Sequence, residues 1–184
     1  MEYKSEVFEN QYHLVKRFVY HLVYYRALLN EYRISKLQDE FWTLTIDADL
    51  LRATINWCMV FGSDKSNPTH WKMLSATDSE KLLRSFRTGL LKKTGLSSLE
   101  LRRYWKSVVD FRNKYAAHHD WKFKEPIPHF DIALAVAFYY DEWIRKIISP
   151  VIFDEPPLRQ FADSLGRSIA PLAKEVLRVT KCRE

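Results

Sequence analysis

Apolar residues recur along most of the chain at alternating steps of three and four, which is the spacing of one helical face. The first such series is Phe8, Tyr12, Val15, Val19, Leu22 and Leu29. The second is Leu37, Phe41, Leu44, Ala48, Leu51, Ile55 and Cys58. A break near Ile34–Ser35 separates the two helices, because Ser35 followed by Gln38 resembles a capping box.

Turn residues and caps divide the rest of the chain. Gly62 ends the second helix, GSDKSNP forms a loop, and THWKML forms a short helical turn. Thr77 with Glu80 and Ser97 with Glu100 each resemble a capping box, and Gly95 stops the first of the two helices that these pairs open. An extended connector, WKFKEPIP, precedes an apolar helix that begins near Asp131.

A final helix over 157–180, kinked near Gly166 and Pro171, follows the break at DEPP. Only four glycines and seven prolines occur, and none precedes Gly62, which is too little turn punctuation for a strand-rich fold. The sequence therefore predicts an all-α, bundle-like fold of four to six helices, with 1–184 as a single domain.

Composition narrows the function classes. With 47% hydrophobic and 28% charged residues the chain is of the folded globular type. No apolar run approaches the roughly 18–20 residues needed to cross a bilayer, and the N-terminus has no signal-peptide core, so a cytoplasmic protein without a membrane partner is expected. Cys58 and Cys182 form no CxxC pair, and no phosphate-binding loop or GxSxG elbow is present.

The most unusual stretch is FRNKYAAHHD, residues 111–120, at the end of a helix predicted over 98–119. On an ideal helix Arg112 shares an otherwise apolar stripe with Trp105 and Val109. A buried guanidinium needs a partner, and its planar fork suits a phosphate or a carboxylate. Two interpretations stay open. Arg112 pairs with a carboxylate such as Asp110 or Asp131, or it converges with the histidines on an anionic ligand.

An arginine and a histidine supply what RNA cleavage by its own 2′-hydroxyl requires, namely proton transfer and stabilisation of charge on the phosphorus. On an ideal helix, however, Arg112 and His118 lie about 9 Å apart along the axis and about 120° apart around it. They meet at one phosphate only if the helix loosens or if a two-fold homodimer brings two copies of each residue to one cleft.

The segment RNKYAAH, Arg112 to His118, resembles the R-x(4–6)-H signature of the HEPN superfamily, where Asn or Asp often follows the arginine. With Ile127, Pro128 and Asp131 further on, and with the segment 57–74, it is most similar to the HEPN families of bacterial abortive-infection and toxin–antitoxin systems. The resemblance implies a HEPN-like helical bundle that dimerises through the motif helices. Many members are metal-independent endoribonucleases that act as toxins or phage-defence effectors, some of them restrained by an antitoxin protein.

Carried over to this chain, the resemblance assigns Arg112 to the scissile phosphate, His118 to general acid/base catalysis and Asn113 to orientation. His119 and Asp120 are possible auxiliary residues outside the core motif. Some HEPN domains keep the fold without chemistry. The alternative is therefore a catalytically silent dimerisation or interaction module that binds a partner protein or a nucleotide.

Basic and aromatic residues around the motif suggest an RNA-binding surface. The candidates are Lys114, Tyr115, Lys122, Arg102 and Arg103. A solvated helix face explains such basic residues equally well, and helix aromatics commonly fill a core. His70, His118, His119, Asp120 and His129 lack the i, i+4 spacing of helical metal ligands, so the sequence predicts neither a metal nor another cofactor.

Overall fold

The computed structural model describes residues 3–74, 79–117, 126–147 and 154–181. Within these ranges the chain is all-α, with six α-helices and no β-strand. The helices are α1 (Ser5–Ser35), α2 (Glu40–Phe61), α3 (Ser79–Thr94), α4 (Ser98–Phe111), α5 (Phe130–Ile147) and α6 (Leu158–Lys181). A 3₁₀ turn, Trp71–Leu74, lies between α2 and α3, and a π-helical turn, Arg112–Ala117, follows α4. The predicted all-α bundle is confirmed.

Three helix ends follow the predicted caps. The backbone N–H of Gly62 donates to the Cys58 carbonyl and closes α2. Gly95 follows the last residue of α3 with φ +68°, a left-handed conformation that costs glycine little. Ser97 and Glu100 form both halves of a capping box, which fixes the start of α4.

The predicted capping box at Ser35 and Gln38 is wrong. Lys36, with φ 58°, ends α1, and the Ser35 hydroxyl donates back to the Tyr32 carbonyl within that helix. The cap of α2 is instead Asp39, whose carboxylate accepts from the Trp42 backbone N–H at 3.1 Å. The other predicted box contains Thr77, which lies outside the described residues.

The buried face of α2 also differs from the predicted stripe. Phe41 and Leu44 are 66% and 61% exposed. The buried residues include Trp42, Ile46, Leu50, Ala53 and Trp57. Apolar residues occur on more than one face of α2, so the spacing rule alone admits two stripes. Packing against α1 selects the stripe that carries both tryptophans.

Helix α6 packs on the same bundle, chiefly along α1. The ring of Phe161 meets that of Tyr20 edge-on, with centroids 4.9 Å apart, and Leu177 is buried with Leu37 and Trp42 at the far end. The helix runs without interruption through Gly166 and Pro171. None of the described helices combines the length and the apolar composition needed to cross a membrane.

A buried carboxylate fixes the start of α6. Asp141, on α5, accepts from the Leu158 backbone N–H at 2.8 Å and from Arg145 Nε at 2.9 Å. The first N–H groups of a helix have no partner within the helix, so this carboxylate acts as a cap supplied by another helix. α5 and α6 are thereby joined across the break at 154–157.

Candidate functional site

Arg112 lies where α4 changes its winding. Val108, Val109 and Phe111 hold the end of α4 in the core, and the Arg112 N–H donates to both the Val108 and Val109 carbonyls. The π-helical turn Arg112–Ala117 follows, in which hydrogen bonds span five residues instead of four. The prediction of an ideal α-helix over 98–119 is therefore wrong over Arg112–Ala117, because the backbone takes a wider turn at the motif. Such turns occur frequently at functional sites.

Two side-chain contacts hold this wide turn. The Tyr115 hydroxyl donates to Asp47 of α2, at 3.3 Å from each carboxylate oxygen. The Tyr115 ring stacks on Phe111, with centroids 5.1 Å apart and an interplanar angle of 19°. Burial, followed by the nearby Asp47 carboxylate, raises the pKa of Tyr115, so the hydroxyl keeps its proton and stays a donor at neutral pH.

The middle of α4 is also joined to α2. Trp105 Nε1 donates to the Phe61 carbonyl at 2.7 Å. Trp105 and Tyr115 thus anchor α4 and the π-helical turn to α2 on both sides of Arg112. The Arg112 backbone therefore has a fixed position against α2, although the winding changes at this residue.

The Arg112 side chain is half-buried, and its Nε is buried without a hydrogen-bond partner among the residues that the structure describes. The guanidinium contacts the sulfur of Cys58 on α2. Burial raises the pKa of Cys58 to about 12, against the opposing charge and hydrogen bond of Arg112. The thiol is consequently neutral at physiological pH and does not compensate the arginine's charge.

Neither predicted carboxylate partner pairs with Arg112. Asp131 instead accepts from Arg26 of α1 at 2.6 Å. Within residues 3–74, 79–117, 126–147 and 154–181, Arg112 forms no ion pair and Asp110 lies in none. A half-buried guanidinium with one unsatisfied nitrogen needs an explanation, and an anionic ligand is one that supplies the missing acceptor.

The π-helical turn carries four of the predicted site residues. They are Arg112, Asn113, Lys114 and Tyr115, all half-buried. His118, His119, Asp120 and Lys122 lie outside the described residues. Their proposed roles therefore stay predictions from the sequence.

The predicted RNA-binding residues Arg102 and Arg103 lie on the exposed surface of α4. Arg102 precedes Arg112 by ten residues, so it lies about 15 Å away along the helix axis. Elsewhere in the basic stretch, Arg84 pairs with Glu80 at 3.4 Å and Lys93 with Glu142 at 2.6 Å. Arg84 and Lys93 are thus already paired, and Arg102 is distant from Arg112.

Sequence reasoning missed the role of α2. Asp47 and Asp49 of α2 are both half-buried and partnered: Asp47 with Tyr115, and Asp49 with His21 at 2.7 Å. The sequence spacing of Asp47 and Cys58 already indicated this role. Asp47 and Cys58 lie three turns apart and within about 20° of each other around α2, so both face the same neighbour. Which neighbour that is depends on how the helices dock.

The described residues contain no cluster of three or more His, Cys, Asp or Glu side chains able to hold a metal ion. His70 is buried, and its Nδ1 accepts from the Lys72 backbone N–H at 3.3 Å. Burial, with a smaller effect of Lys72, lowers the pKa of His70 to about 4. His129 is exposed just before α5.

Comparison of this chain with protein-family models, with curated proteins and with solved structures finds no match. The fold and the surroundings of Arg112 are therefore the observations from which a function can be argued.

Proposed function

We propose that this chain is a metal-independent endoribonuclease of the HEPN type, with Arg112 as its phosphate-binding residue. The observation that carries the proposal is the half-buried Arg112 guanidinium, which has an unpartnered Nε and no carboxylate among the described residues. A phosphodiester offers this group oxygen acceptors and a negative charge in the geometry that a guanidinium prefers.

The position of Arg112 supports the same proposal. A rigid scaffold on α2, through Asp47 and Phe61, holds the helix on either side of the arginine. Pre-organised charge stabilises a transition state better than charge that must first be ordered. The neutral Cys58 thiol leaves the full positive charge of Arg112 for an anion.

The proposed reaction is attack of a ribose 2′-oxygen on the adjacent phosphorus. The 2′-hydroxyl loses its proton to the neutral imidazole of His118, the bond from phosphorus to the 5′-oxygen breaks, and that oxygen gains a proton. The products are a 2′,3′-cyclic phosphate and a 5′-hydroxyl. Arg112 stabilises the charge that develops on the non-bridging phosphate oxygens, and Asn113 orients the phosphate.

A two-fold homodimer would bring two arginines and two histidines to one cleft, so that one imidazole accepts a proton while the other, as imidazolium, supplies one. In this proposal Lys114, Tyr115, Lys122, Arg102 and Arg103 contact RNA, and His119 and Asp120 assist. The protein would act in the cytoplasm as a toxin or a phage-defence effector, with an antitoxin protein as a possible partner.

The test is cleavage of end-labelled RNAs in excess EDTA by wild type, Arg112→Ala, Arg112→Lys and His118→Ala. Loss of a charged transition-state contact typically lowers a rate by about 10²–10³-fold, and loss of a general base by about 10²–10⁴-fold. Arg112→Lys keeps the charge but not the fork, so it should retain more activity than Arg112→Ala. Mass spectrometry of the products identifies the 2′,3′-cyclic phosphate.

Arg52→Ala is the matched control, since Arg52 is an exposed arginine on α2 with no proposed role. All variants must match wild type in helix content, melting temperature and oligomeric state. Undiminished cleavage by Arg112→Ala and His118→Ala would overturn the proposal. Binding of RNA or a partner protein without cleavage would favour the catalytically silent module.

A further inference from the structure

A concave site lies away from Arg112, between the end of α2, the loop that follows it, α3 and the first half of α4. Its volume is about 650 Å³, within the range of pockets that hold small molecules. Aromatic side chains form much of its lining: Trp57, Phe61, Trp71, Phe86, Tyr104 and Trp105. Arg112 does not line this cleft.

The aromatic lining is fixed in place by the fold. The rings of Trp71 and Phe86 stack with centroids 4.1 Å apart. The polar atoms of two other aromatic residues are already occupied. Trp105 Nε1 donates to the Phe61 carbonyl at 2.7 Å, and the Tyr104 hydroxyl accepts from the Ala133 N–H at 3.0 Å. Tyr104 and Trp105, which are half-buried, therefore offer the cleft mainly apolar ring surface, suited to a flat apolar body, whereas Trp71 and Phe86 are buried.

The charges of the cleft are unbalanced. Lys72 and Asp64 pair with each other at 2.5 Å, and this contact lowers the pKa of Asp64. Arg87 of α3 and Arg102 of α4 are exposed and form no ion pair with any residue in the described ranges. The lining of the cleft therefore combines aromatic side chains with two guanidinium groups that form no ion pair with a described residue.

We propose that this cleft binds a small anion with a planar aromatic body. The rings of the lining contact the body, and Arg87 and Arg102 bind its anionic group, a phosphate or a carboxylate. Arg87 lies on α3 and Arg102 on α4, the helices that precede and follow Gly95 in the chain. The site therefore depends on the tertiary fold rather than on one local motif. This inference uses no residue of the π-helical turn, and it shares with the proposed nuclease only Arg102, one of the residues proposed to contact RNA.

Titration calorimetry with three ligands that share one ring system tests the proposal. The ligands are 1-naphthyl phosphate, 1-naphthoate and the uncharged 1-naphthalenemethanol. At least one of the two anions should bind at one site per chain, about ten-fold or more tightly than the alcohol. The anion that binds with the higher affinity shows whether the site prefers a phosphate or a carboxylate.

The double variant Arg87→Ala/Arg102→Ala should weaken anion binding about ten-fold or more. The control is Arg84→Ala/Lys106→Ala, which removes one exposed cation from each of the same helices without touching the lining. A second variant, Leu91→Trp, places a larger side chain at a lining position and should abolish binding of all three ligands. All variants must retain wild-type helix content.

Three results would overturn the proposal. One is no detectable binding of either anion to wild type. Another is equal affinity for the alcohol, and the third is an equal loss in the control variant. RNA cleavage, measured separately on the same proteins, has no bearing on these outcomes.

Discussion

The hydroxyl of Tyr115 lies 3.3 Å from each carboxylate oxygen of Asp47, which joins the π-helical turn to the side of α2. Tyr115 follows Arg112 by three residues, so this contact lies within the same wide turn. The position of Arg112 therefore depends on the side chain of Tyr115, at a position where the R-x(4–6)-H pattern specifies no residue.

Replacing Tyr115 by Phe removes this hydrogen bond and keeps the ring that stacks on Phe111. The free energy of unfolding should fall by about 1 kcal/mol, the usual net value of one intramolecular hydrogen bond. Urea denaturation followed by circular dichroism measures it. Tyr24→Phe is the control, because the Tyr24 hydroxyl makes no hydrogen bond with a described residue. Equal losses in both variants would show that the contact with Asp47 contributes nothing specific.

Gly89 allows close packing of α3 against α5. A Cβ at this position would lie 2.0 Å from the Tyr139 hydroxyl oxygen and 2.6 Å from its Cζ. Gly89→Ala should therefore lower the free energy of unfolding by about 1–3 kcal/mol, in spite of alanine's better helix propensity. The same urea denaturation measures the loss.

Gly166→Ala provides the opposite case, because a Cβ there meets nothing within 4 Å. It should stabilise the protein by about 0.5–1 kcal/mol. In a Tyr139→Leu background Gly89→Ala should cost much less than in wild type. An unchanged cost in that background would refute the clash with Tyr139.

His70 should make stability depend on pH. Burial lowers its pKa to about 4, from an ordinary value near 6.5, so protons bind the unfolded chain more tightly than the folded one. The stability associated with neutral His70 is intact above about pH 6.5 and is lost as pH falls towards 4. The full loss is roughly 3 kcal/mol.

The check is urea denaturation of wild type and His70→Asn at pH 7.5 and 4.5. Asparagine can still accept a hydrogen bond from the Lys72 N–H, and it has no proton to gain in this range. Wild type should lose more stability than the variant between the two pH values. Identical pH dependences would exclude His70 as the cause.

Asp141 should be one of the most sensitive positions for stability. Its side chain is 3% exposed and satisfies both Arg145 and the first N–H group of α6. Asp141→Ala leaves both donors without this acceptor and should cost about 3–5 kcal/mol. Glu142→Ala, which removes an exposed pair with Lys93, should cost less than about 1 kcal/mol. Comparable losses at the two neighbouring positions would contradict the capping role.

Local signals predicted much of the helix order. The capping box at Ser97 and the left-handed glycine at Gly95 depend only on neighbouring residues, so their effect is readable from a few letters of sequence. The start of α5 was predicted within one residue for the same reason. The cap of α2 was misplaced because Ser35 and Asp39 both precede helix-compatible residues, and only the contact of Asp39 with the Trp42 N–H distinguishes them.

Tertiary packing determined what the sequence left open. Which stripe of α2 is buried depends on the docking of α1, and the pairing of Asp131 with Arg26 joins positions that no spacing rule relates. The π-helical turn was likewise unpredicted, because RNKYAA has no residue that breaks an α-helix. Its anchor, Asp47, lies 68 positions earlier in the chain.

The winding of the π-helical turn also bears on length variation in such motifs. An α-helix that gains one residue can absorb it in a single wide turn, so that the flanking turns keep their places. If the extra residue were instead wound into a regular α-helix, everything after it would rotate by about 100° relative to the bundle. The number of residues between Arg112 and His118 can therefore change by one without disturbing the core. A search for related chains should allow insertions and deletions here rather than enforce a fixed gap.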